Sequence, residues 1–267
     1  FEGGQQADFD LVVGADGIRS TVRDFLSLNQ NNYFGGDEAG YTGIKIQWGV
    51  APAGSRPSGA DTELHQWFGR GAYCLSATYG GRDGQMYDQC VVVYGSDNAA
   101  GLPAINANWE TAEAQKAMVS RLQQANMPDE VLQLAAACDR HFELGSYFRN
   151  PLISWQGLDG RVVLLGDAAH AMPPFLGQGT NQGVQDAYCL AQVLQAWQQG
   201  RHGSLAEALG AYELARKFPT ARLTLNSRVL GFVETGLPPL ARDAFFRTTD
   251  VLGIVNFIFK DGAIPKV

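Results

Sequence analysis

Two short apolar runs predict strands that are buried on both faces of a sheet. The run at 9–13 (F-D-L-V-V) leads into Gly14-Ala15-Asp16-Gly17, and the run at 161–165 (R-V-V-L-L) ends at Gly166-Asp167. Nearly continuous apolar runs of this length are typical of parallel sheets that carry helices on both faces. A short helix is expected after the first run, and Ser20 is placed to cap its amino end.

A different pattern, typical of antiparallel strands, begins near residue 33 and continues to residue 97. Segments rich in β-branched and aromatic residues are separated there by turns of glycine, proline and serine. Asp83-Gly84, within G-G-R-D-G, is a strong hairpin signal. The predicted strands cover residues 41–50, 73–79, 87–94 and, after a helical stretch, 142–148.

Helical periodicity predicts four longer helices, and two more helical stretches are expected to complete the chain. Asn108 is suited to cap the first and Pro128 to begin the second. Gly200 is suited to end the third, and Pro219 follows the fourth. The helices are expected at about 108–125, 128–138, 180–199 and 205–218. The apolar positions expected on the inner face of the third are Val184, Ala187, Leu190, Leu194 and Trp197.

The composition is that of a globular protein. Of the 267 residues, 45% are hydrophobic and 18% are charged, which excludes disordered, collagen-like and coiled-coil classes. The net charge of -7 and the lack of a basic run argue against nucleic acid or an anionic membrane surface as the main partner. No stretch approaches the ~18 apolar residues of a membrane span. The best candidate, Val251 to Phe259, is predicted to be a buried helix or strand.

The four cysteines are isolated along the chain and form no C-x-x-C pair. This usage favours buried, reduced thiols over disulfides, and hence a reducing compartment such as the cytoplasm. The cysteines are Cys74, Cys90, Cys138 and Cys189.

Candidate binding chemistry follows the strand at 161–165. A carboxylate at the carboxyl end of a parallel strand, such as Asp167, lies where open α/β sheets bind ligands. Its oxygens only accept hydrogen bonds, so a sugar or ribityl hydroxyl is a natural partner. A plain strand-loop-helix crossover, with Asp167 as a helix cap, is an equally good interpretation.

The loop and helix that follow supply backbone donors. Gly177 and Gly179 allow the backbone to approach a planar ligand closely, and Thr180 and Asn181 stand at the start of the helix. Free amides and the positive end of the helix dipole favour negative charge at this point. An acceptor oxygen placed there would be stabilised on reduction.

Two long strings resemble the motifs of a known family. Residues 166–187 (G-D-A-A-H-A-M-P-P-F-L-G-Q-G-T-N-Q-G-V-Q-D-A) resemble the second FAD motif of the class A flavoprotein monooxygenases, the para-hydroxybenzoate hydroxylase-like family. Residues 10–23 (D-L-V-V-G-A-D-G-I-R-S-T-V-R) resemble the D-G motif of the same family. The resemblance covers about residues 1–230 and keeps the two motifs in the family's order, with a β-rich segment between them.

The resemblance implies a mixed α/β (α+β) fold in three regions. An incomplete, Rossmann-like FAD-binding domain is expected at 1–30 and 145–205, an antiparallel β-sheet substrate domain at 31–144, and a C-terminal helical region at 206–267. Family members begin with a G-x-G-x-x-G turn that binds the ADP half of FAD, and this sequence contains no such string. We therefore expect the chain to be the C-terminal part of a longer protein, or to act with the missing segment as a separate chain.

The second motif carries most of the implied cofactor contacts. Gly166-Asp167 would hold the ribityl or pyrophosphate side of FAD. Pro174 would lie near the flavin ring, which Gly177 and Gly179 would line. The backbone amides of Thr180-Asn181 would face the flavin N1–C2 carbonyl, in agreement with the helix-dipole argument.

The first motif carries the remaining implied contacts. Asp16 and Gly17 would lie near the pyrophosphate. Arg19, Ser20 and Arg23 would support the loop or meet NAD(P)H. For Arg23, a structural ion pair is an equally good interpretation.

The implied activity is that of a flavin-dependent monooxygenase. In this family NAD(P)H, a transient electron donor, reduces FAD, and the reduced flavin reacts with O2 to form a C4a-hydroperoxide that oxygenates an aromatic or polyketide-like small molecule. The β-rich region would supply the substrate face. His65, Trp67 and Tyr73 are candidate substrate residues there, although aromatic residues more often pack in a core. No catalytic base is identified.

Several alternatives stay open. A flavin-dependent halogenase or a reductase would have the same fold but a different reaction. A non-catalytic fragment without bound FAD would have no activity. A metal site is not expected, because no third ligand accompanies Asp167 and His170. A Ser-His-Asp hydrolase is not supported, because the sequence has no G-x-S-x-G signature.

Overall fold

The computed structural model describes residues 6–30, 38–57, 63–82, 84–96 and 112–252. The chain forms two compact units. The first unit contains residues 1–40, 147–228 and 253–267, and the second contains residues 41–146 and 229–252. The domain bounds and roles expected from the sequence stay a prediction.

Eight strands and seven α-helices are seen in the described residues. The strands are β1 (Val12–Gly14), β2 (Gly40–Pro52), β3 (His65–Phe68), β4 (Ala72–Gly80), β5 (Met86–Gly95), β6 (Arg140–Phe148), β7 (Gln156–Gly157) and β8 (Val162–Leu164). The helices are α1 (Thr21–Gln30), α2 (Ala112–Gln124), α3 (Asp129–Ala137), α4 (Asp167–His170), α5 (Gly179–Gln198), α6 (Leu205–Gly236) and α7 (Pro239–Val251). A short 3-10 helix spans Pro174–Leu176.

The first unit is built on a small sheet with the strand order β1-β8-β7. β1 pairs with β8 in parallel, with Val13 opposite Val163, and β7 pairs with β8 antiparallel. The two predicted strands are therefore confirmed, and they are parallel neighbours in one sheet. β8 is buried on both faces, whereas Val12 and Val13 of β1 are each 39% exposed among the described residues, so the expected burial of the first run is wrong. The difference arises because β1 lies at an edge of the sheet.

The second unit contains a five-stranded sheet with the order β3-β4-β5-β2-β6. β4 and β5 are antiparallel neighbours with Tyr79 opposite Tyr87, which confirms the predicted pairing; Asp83, in their predicted turn, lies outside the described residues. One face packs against α2 and α3. That core contains Ala72, Cys74, Cys90, Val92, Met118, Leu122, Val131, Leu134 and Cys138.

Helix α5 presents a different face to the core than the sequence predicts. Val184 and Trp197 are 65% and 37% exposed, and Ala187 is also exposed, so the predicted inner face is wrong at these positions. Two polar side chains, Gln182 and Asp186, are instead fully buried. The buried positions are Gln182, Asp186, Cys189, Leu190, Val193 and Ala196.

Helix α6 continues through Pro219 instead of ending before it. A proline in a helix interior costs about 3 kcal/mol, because it removes an N–H donor and crowds the preceding turn. Tyr212 and Leu223, one on each side of Pro219, are at most 2% exposed, so their packing offsets this cost. The expected end of the helix at Phe218 is therefore wrong.

The structure tests several other predictions from the sequence. α3 and the end of the third predicted helix at Gly200 are confirmed, and Gly200 has the expected positive φ of 75°. The predicted cap Asn108 and the segment beyond Leu252 lie outside the described residues. Of the predicted buried segment, Val251 and Leu252 are described and are 85% and 65% exposed, so the expected burial is wrong at these two positions, which lie at the end of α7. Among the described helices, none combines the length and the apolar character that a membrane span requires.

Candidate functional site

The two motifs meet at the edge where β1 and β8 end. The Leu165 amide donates to the Gly14 carbonyl at 3.0 Å, so the loops that follow these parallel strands leave the sheet side by side. Gly14 permits this close packing, because a Cβ atom there would lie 2.7 Å from Leu164 and 2.8 Å from Val22. The structure thus brings the predicted residues of 16–19 and 166–181 to one edge of the first unit.

Asp16 uses its carboxylate to cap α1. Its Oδ2 accepts the Thr21 amide at 2.8 Å and the Thr21 hydroxyl at 3.1 Å, while the Ser20 hydroxyl accepts the Arg23 amide at 2.9 Å. Burial raises the pKa of Asp16, but hydrogen bonds from Ser20 and from backbone amides outweigh burial and lower it. Ser20 is therefore confirmed as a cap, and Asp16 shapes the loop that contains Gly17.

Arg23 is a structural residue. It is fully buried, and its guanidinium donates to the carbonyls of Ala169 at 2.9 Å, Ala168 at 3.2 Å and Asn150 at 2.6 Å. These bonds fasten α1 to α4. The structural interpretation of Arg23 is favoured over a contact with NAD(P)H, while the predicted partner of Arg19, which is exposed, stays untested.

Gly166 directs the chain out of β8. Its φ of 60° and ψ of -143° lie outside the regions that residues with a side chain adopt. α4 begins at the next residue, Asp167, which is exposed. Within the described part of the chain, no hydrogen bond to the Asp167 carboxylate is seen, so it is available to a ligand.

The amino end of α5 is uncapped. Gln178 precedes the helix and makes no capping hydrogen bond, whereas α1 is capped by both Asp16 and Ser20. The first turn of a helix has amides without partners in the helix. Thr180 and Asn181 are exposed in this turn, so their amides are open to an acceptor.

The segment before α5 keeps this end of the helix open. Gly177 has a φ of 62° and open space around it, and Pro174 is exposed at the start of the 3-10 helix. Gly179, the first residue of α5, lies near the Asp167 carboxylate, since a Cβ atom there would be 4.0 Å from Oδ1. An exposed acceptor and a set of backbone donors therefore stand together.

These groups fit FAD. The Asp167 carboxylate can accept hydrogen bonds from ribityl hydroxyls, and the amides of Thr180 and Asn181 can donate to an oxygen that gains negative charge. Neither Gly177 nor Gly179 places a side chain between these groups.

A buried polar cluster behind this site was missed from the sequence. Asp186 on α5 accepts hydrogen bonds from Gly166, His170 and Arg216, and the Arg216 side chain also binds Gln182. The charged partner of His170 is thus Asp186, and no group of three metal-ligating side chains occurs in the described ranges. The signal in the sequence was the pair of polar residues four apart, Gln182 and Asp186, on the buried stripe of α5.

The candidate substrate residues do not form one cluster. Trp67 lies opposite Cys74 and packs on the face covered by α2 and α3, whereas Tyr73 lies opposite Phe68 on the other face. His65 shares the face of Trp67, with their rings 5.5 Å apart, and its Nε2 is 2.9 Å from Glu63 Oε2. Their roles stay a prediction.

Tyr73 meets a residue that the sequence did not single out. Glu234, on α6, is 6% exposed, and its Oε2 has no hydrogen-bond partner among the described residues. Burial raises the pKa of Glu234 to about 7, although the neighbouring Tyr73 and the hydrogen bond from Gln66 act to lower it. Burial also raises the pKa of Tyr73, and the nearby Glu234 carboxylate raises it further.

Comparison with curated proteins finds relatives that are monooxygenases or epoxidases. A chloroplastic zeaxanthin epoxidase of Capsicum annuum is 34% identical across 98% of this chain. A 3-amino-4-hydroxybenzoate 2-monooxygenase of Streptomyces cremeus is 31% identical across 86% of it. This chain spans 38% and 51% of these two relatives, respectively.

A solved structure shows the same fold. A salicylate hydroxylase, solved as a substrate complex, superposes with a TM-score of 0.74 at 22% identity, over 100% of this chain and 67% of that one. The FAD binding domain family matches residues 2–226. The mixed α/β fold expected from the sequence is therefore confirmed, and the chain belongs to the FAD binding domain family, that of the class A flavin monooxygenases.

Proposed function

We propose that the protein carrying this chain is a monooxygenase that uses FAD, NAD(P)H and O2 to oxygenate an aromatic or polyketide-like small molecule. The observation that carries the proposal is the pairing of the free Asp167 carboxylate with the uncapped amino end of α5, at the edge where β1 and β8 end. Membership of the FAD binding domain family supports the same conclusion.

Each part of the site has a role in this proposal. Bound FAD would supply the redox chemistry, accepting a hydride from NAD(P)H and passing electrons to O2. Asp167 binds ribityl hydroxyls, and the amides of Thr180 and Asn181 stabilise negative charge on the flavin ring. Asp16 and Gly17 shape the loop beside the pyrophosphate, and Arg23 holds this loop's helix to α4.

The substrate class rests on the relatives and on the β-rich second unit. The name of the Streptomyces relative describes oxygenation of an aromatic ring, which favours an aromatic substrate. The name of the Capsicum relative favours a second candidate reaction, epoxidation. A halogenase or reductase activity finds no support in these names.

The exposed edge of the first unit supports a further partner. β1 lies at the edge of its sheet, and Phe9, Val12 and Val13 are 63%, 39% and 39% exposed. An apolar strand with an open edge readily pairs with another strand. We propose that the segment with the G-x-G-x-x-G turn, which binds the ADP half of FAD in family members, covers this edge, either in the same protein or as a separate chain.

The four cysteines are buried thiols, which supports a reducing compartment such as the cytoplasm.

Product analysis tests this function. The protein, expressed from its natural reading frame, should bind a yellow flavin and consume NAD(P)H and O2 when an accepted substrate is added. Incorporation of one 18O atom from 18O2, followed by mass spectrometry, distinguishes a hydroxylated product from an epoxide. Substrate oxidation without incorporated oxygen, or NAD(P)H oxidation by a protein with no bound flavin, would contradict the proposal.

A further inference from the structure

Asp186 connects the two parts of the candidate flavin site, which are the segment around Asp167 and the amino end of α5. It lies within α5, one to two turns after the open amino end, and is fully buried. Its Oδ2 accepts the Gly166 amide at 2.8 Å and the His170 ring Nε2 at 2.5 Å. Its Oδ1 accepts Arg216 Nε at 2.7 Å. One carboxylate therefore joins the end of β8, α4, α5 and α6.

The two donors to Oδ2 stand on either side of Asp167. Gly166 precedes Asp167 directly, and His170 follows it at the end of the same short helix. Because both are held by one oxygen, the direction in which Asp167 leaves the strand depends on Asp186. Gly166 has a backbone conformation that only glycine adopts readily, so its fixed N–H helps to maintain this conformation.

His170 depends on the same bond for its orientation. Its Nδ1 is buried and has no hydrogen-bond partner among the described residues. Its ring lies 5.3 Å from that of Trp155 and lines a small cavity together with Arg149, Lys217 and Thr220. The bond to Asp186 is the hydrogen bond of the imidazole seen among the described residues, and it orients the ring.

Arg216 keeps the Asp186 carboxylate in place. Besides Asp186, its guanidinium binds Gln182 Oε1 at 2.6 Å and Gln185 Oε1 at 3.0 Å, both on α5. Hydrogen bonds to a fully buried charge are stronger than those in water, and removing one partner is costly. Burial would raise the pKa of Asp186, but hydrogen bonds from His170, Arg216 and Gly166 outweigh burial and keep it low.

We propose that Asp186 is a positioning residue, which fixes the Asp167 carboxylate relative to the open amides of α5 and thereby sets the affinity for flavin. Asp167 and the α5 amides touch the cofactor in this account, whereas Asp186 acts only through the Gly166–His170 segment. The inference rests on the proposed binding of FAD.

The proposal is tested by measuring the affinity for FAD of the protein expressed from its natural reading frame. FAD is titrated, and binding is monitored by the quenching of flavin fluorescence. Asp186→Asn should weaken FAD binding at least about tenfold, because the amide offers one acceptor oxygen to three donors. It should weaken binding of reduced flavin more than that of oxidised flavin, since the α5 amides favour negative charge. Leu209→Ala, which removes a buried side chain from the same core, is the matched control. It should lower stability and leave FAD affinity within about twofold.

Variants of His170 keep the test decisive if Asp186→Asn does not fold. His170→Ala removes the donor to Asp186 and should weaken FAD binding, whereas His170→Gln retains an N–H donor and should restore most of it. Wild-type affinity in Asp186→Asn or in His170→Ala, at a temperature where the protein is folded, would overturn the inference. Equal losses in Leu209→Ala and Asp186→Asn would reduce Asp186 to a stability residue and overturn it too. A wild-type protein that binds no FAD would overturn the proposed function, and this inference with it.

Discussion

Gln66 on β3 donates a hydrogen bond from its Nε2 to Oε1 of Glu234 on α6 at 3.5 Å, within the second unit. Glu234 is 6% exposed, and the neighbouring Tyr73 on β4 is 3% exposed. Both Gln66 and Tyr73 are uncharged. Because no positive charge among the described residues compensates the carboxylate, burial raises the pKa of Glu234 to about 7.

Stability should fall as the pH rises from about 4.5 to about 7. In this interval the folded protein binds a proton at Glu234 that the unfolded chain has released, so raising the pH favours unfolding. A pKa shift of this size corresponds to a loss of about 3 kcal/mol in the free energy of unfolding. Urea unfolding of the wild type and Glu234→Gln at about pH 5 and pH 8 measures the effect, and the variant should not show this loss.

Glu130, an exposed residue of α3, provides the matched control. Glu130→Gln should keep the pH dependence of the wild type. If Glu234→Gln keeps it too, the buried carboxyl does not titrate in this range.

Replacing Arg23 should destabilise the first unit. Arg23→Met keeps much of the apolar stem but leaves the carbonyls of Ala168, Ala169 and Asn150, of which the first two are buried, without these donors. We expect a loss of about 3 kcal/mol or more in the free energy of unfolding. Denaturant unfolding measures it, with Arg82→Met at an exposed turn as the control. A loss below about 0.5 kcal/mol would show that these bonds are not needed.

Replacing Pro219 should stabilise the long helix α6. Pro219→Ala restores a backbone donor inside a continuous helix and should raise the free energy of unfolding by about 2 kcal/mol. Pro239 begins α7, where proline is well tolerated, so Pro239→Ala should have little effect. Thermal unfolding of both variants is the measurement. Destabilisation by Pro219→Ala would mean that α6 is interrupted at this position.

Local patterns in the sequence predicted the strands β1 and β8, the hairpin of β4 and β5, and the Ser20 cap. Each depends on neighbouring residues and on the period of a strand or helix. The meeting of the two motifs was implied only by the family resemblance, which assigns both to FAD; the structure shows that they meet because the parallel strands before them end on the same side.

Contacts between residues that are distant in the sequence could not be predicted. A period of apolar residues places Val184 and Trp197 inside, whereas the real inner face contains Asp186, stabilised there by Arg216 from another helix. Likewise, the pairing of Trp67 with Cys74 and of Phe68 with Tyr73 decides which sheet face each aromatic ring takes. Glu234 acquires its raised pKa only through tertiary burial.

The affinity of Asp167→Asn for FAD shows whether the Asp167 carboxylate binds the cofactor. The Asn side chain keeps the size of Asp but loses the charge and one acceptor, so it should bind ribityl hydroxyls poorly. FAD titration of the wild type, Asp167→Asn and the control Asp129→Asn, an exposed residue of α3, gives the comparison. Asp167→Asn alone should bind FAD at least about tenfold more weakly than the wild type. Equal affinity in all three proteins would contradict this role of Asp167.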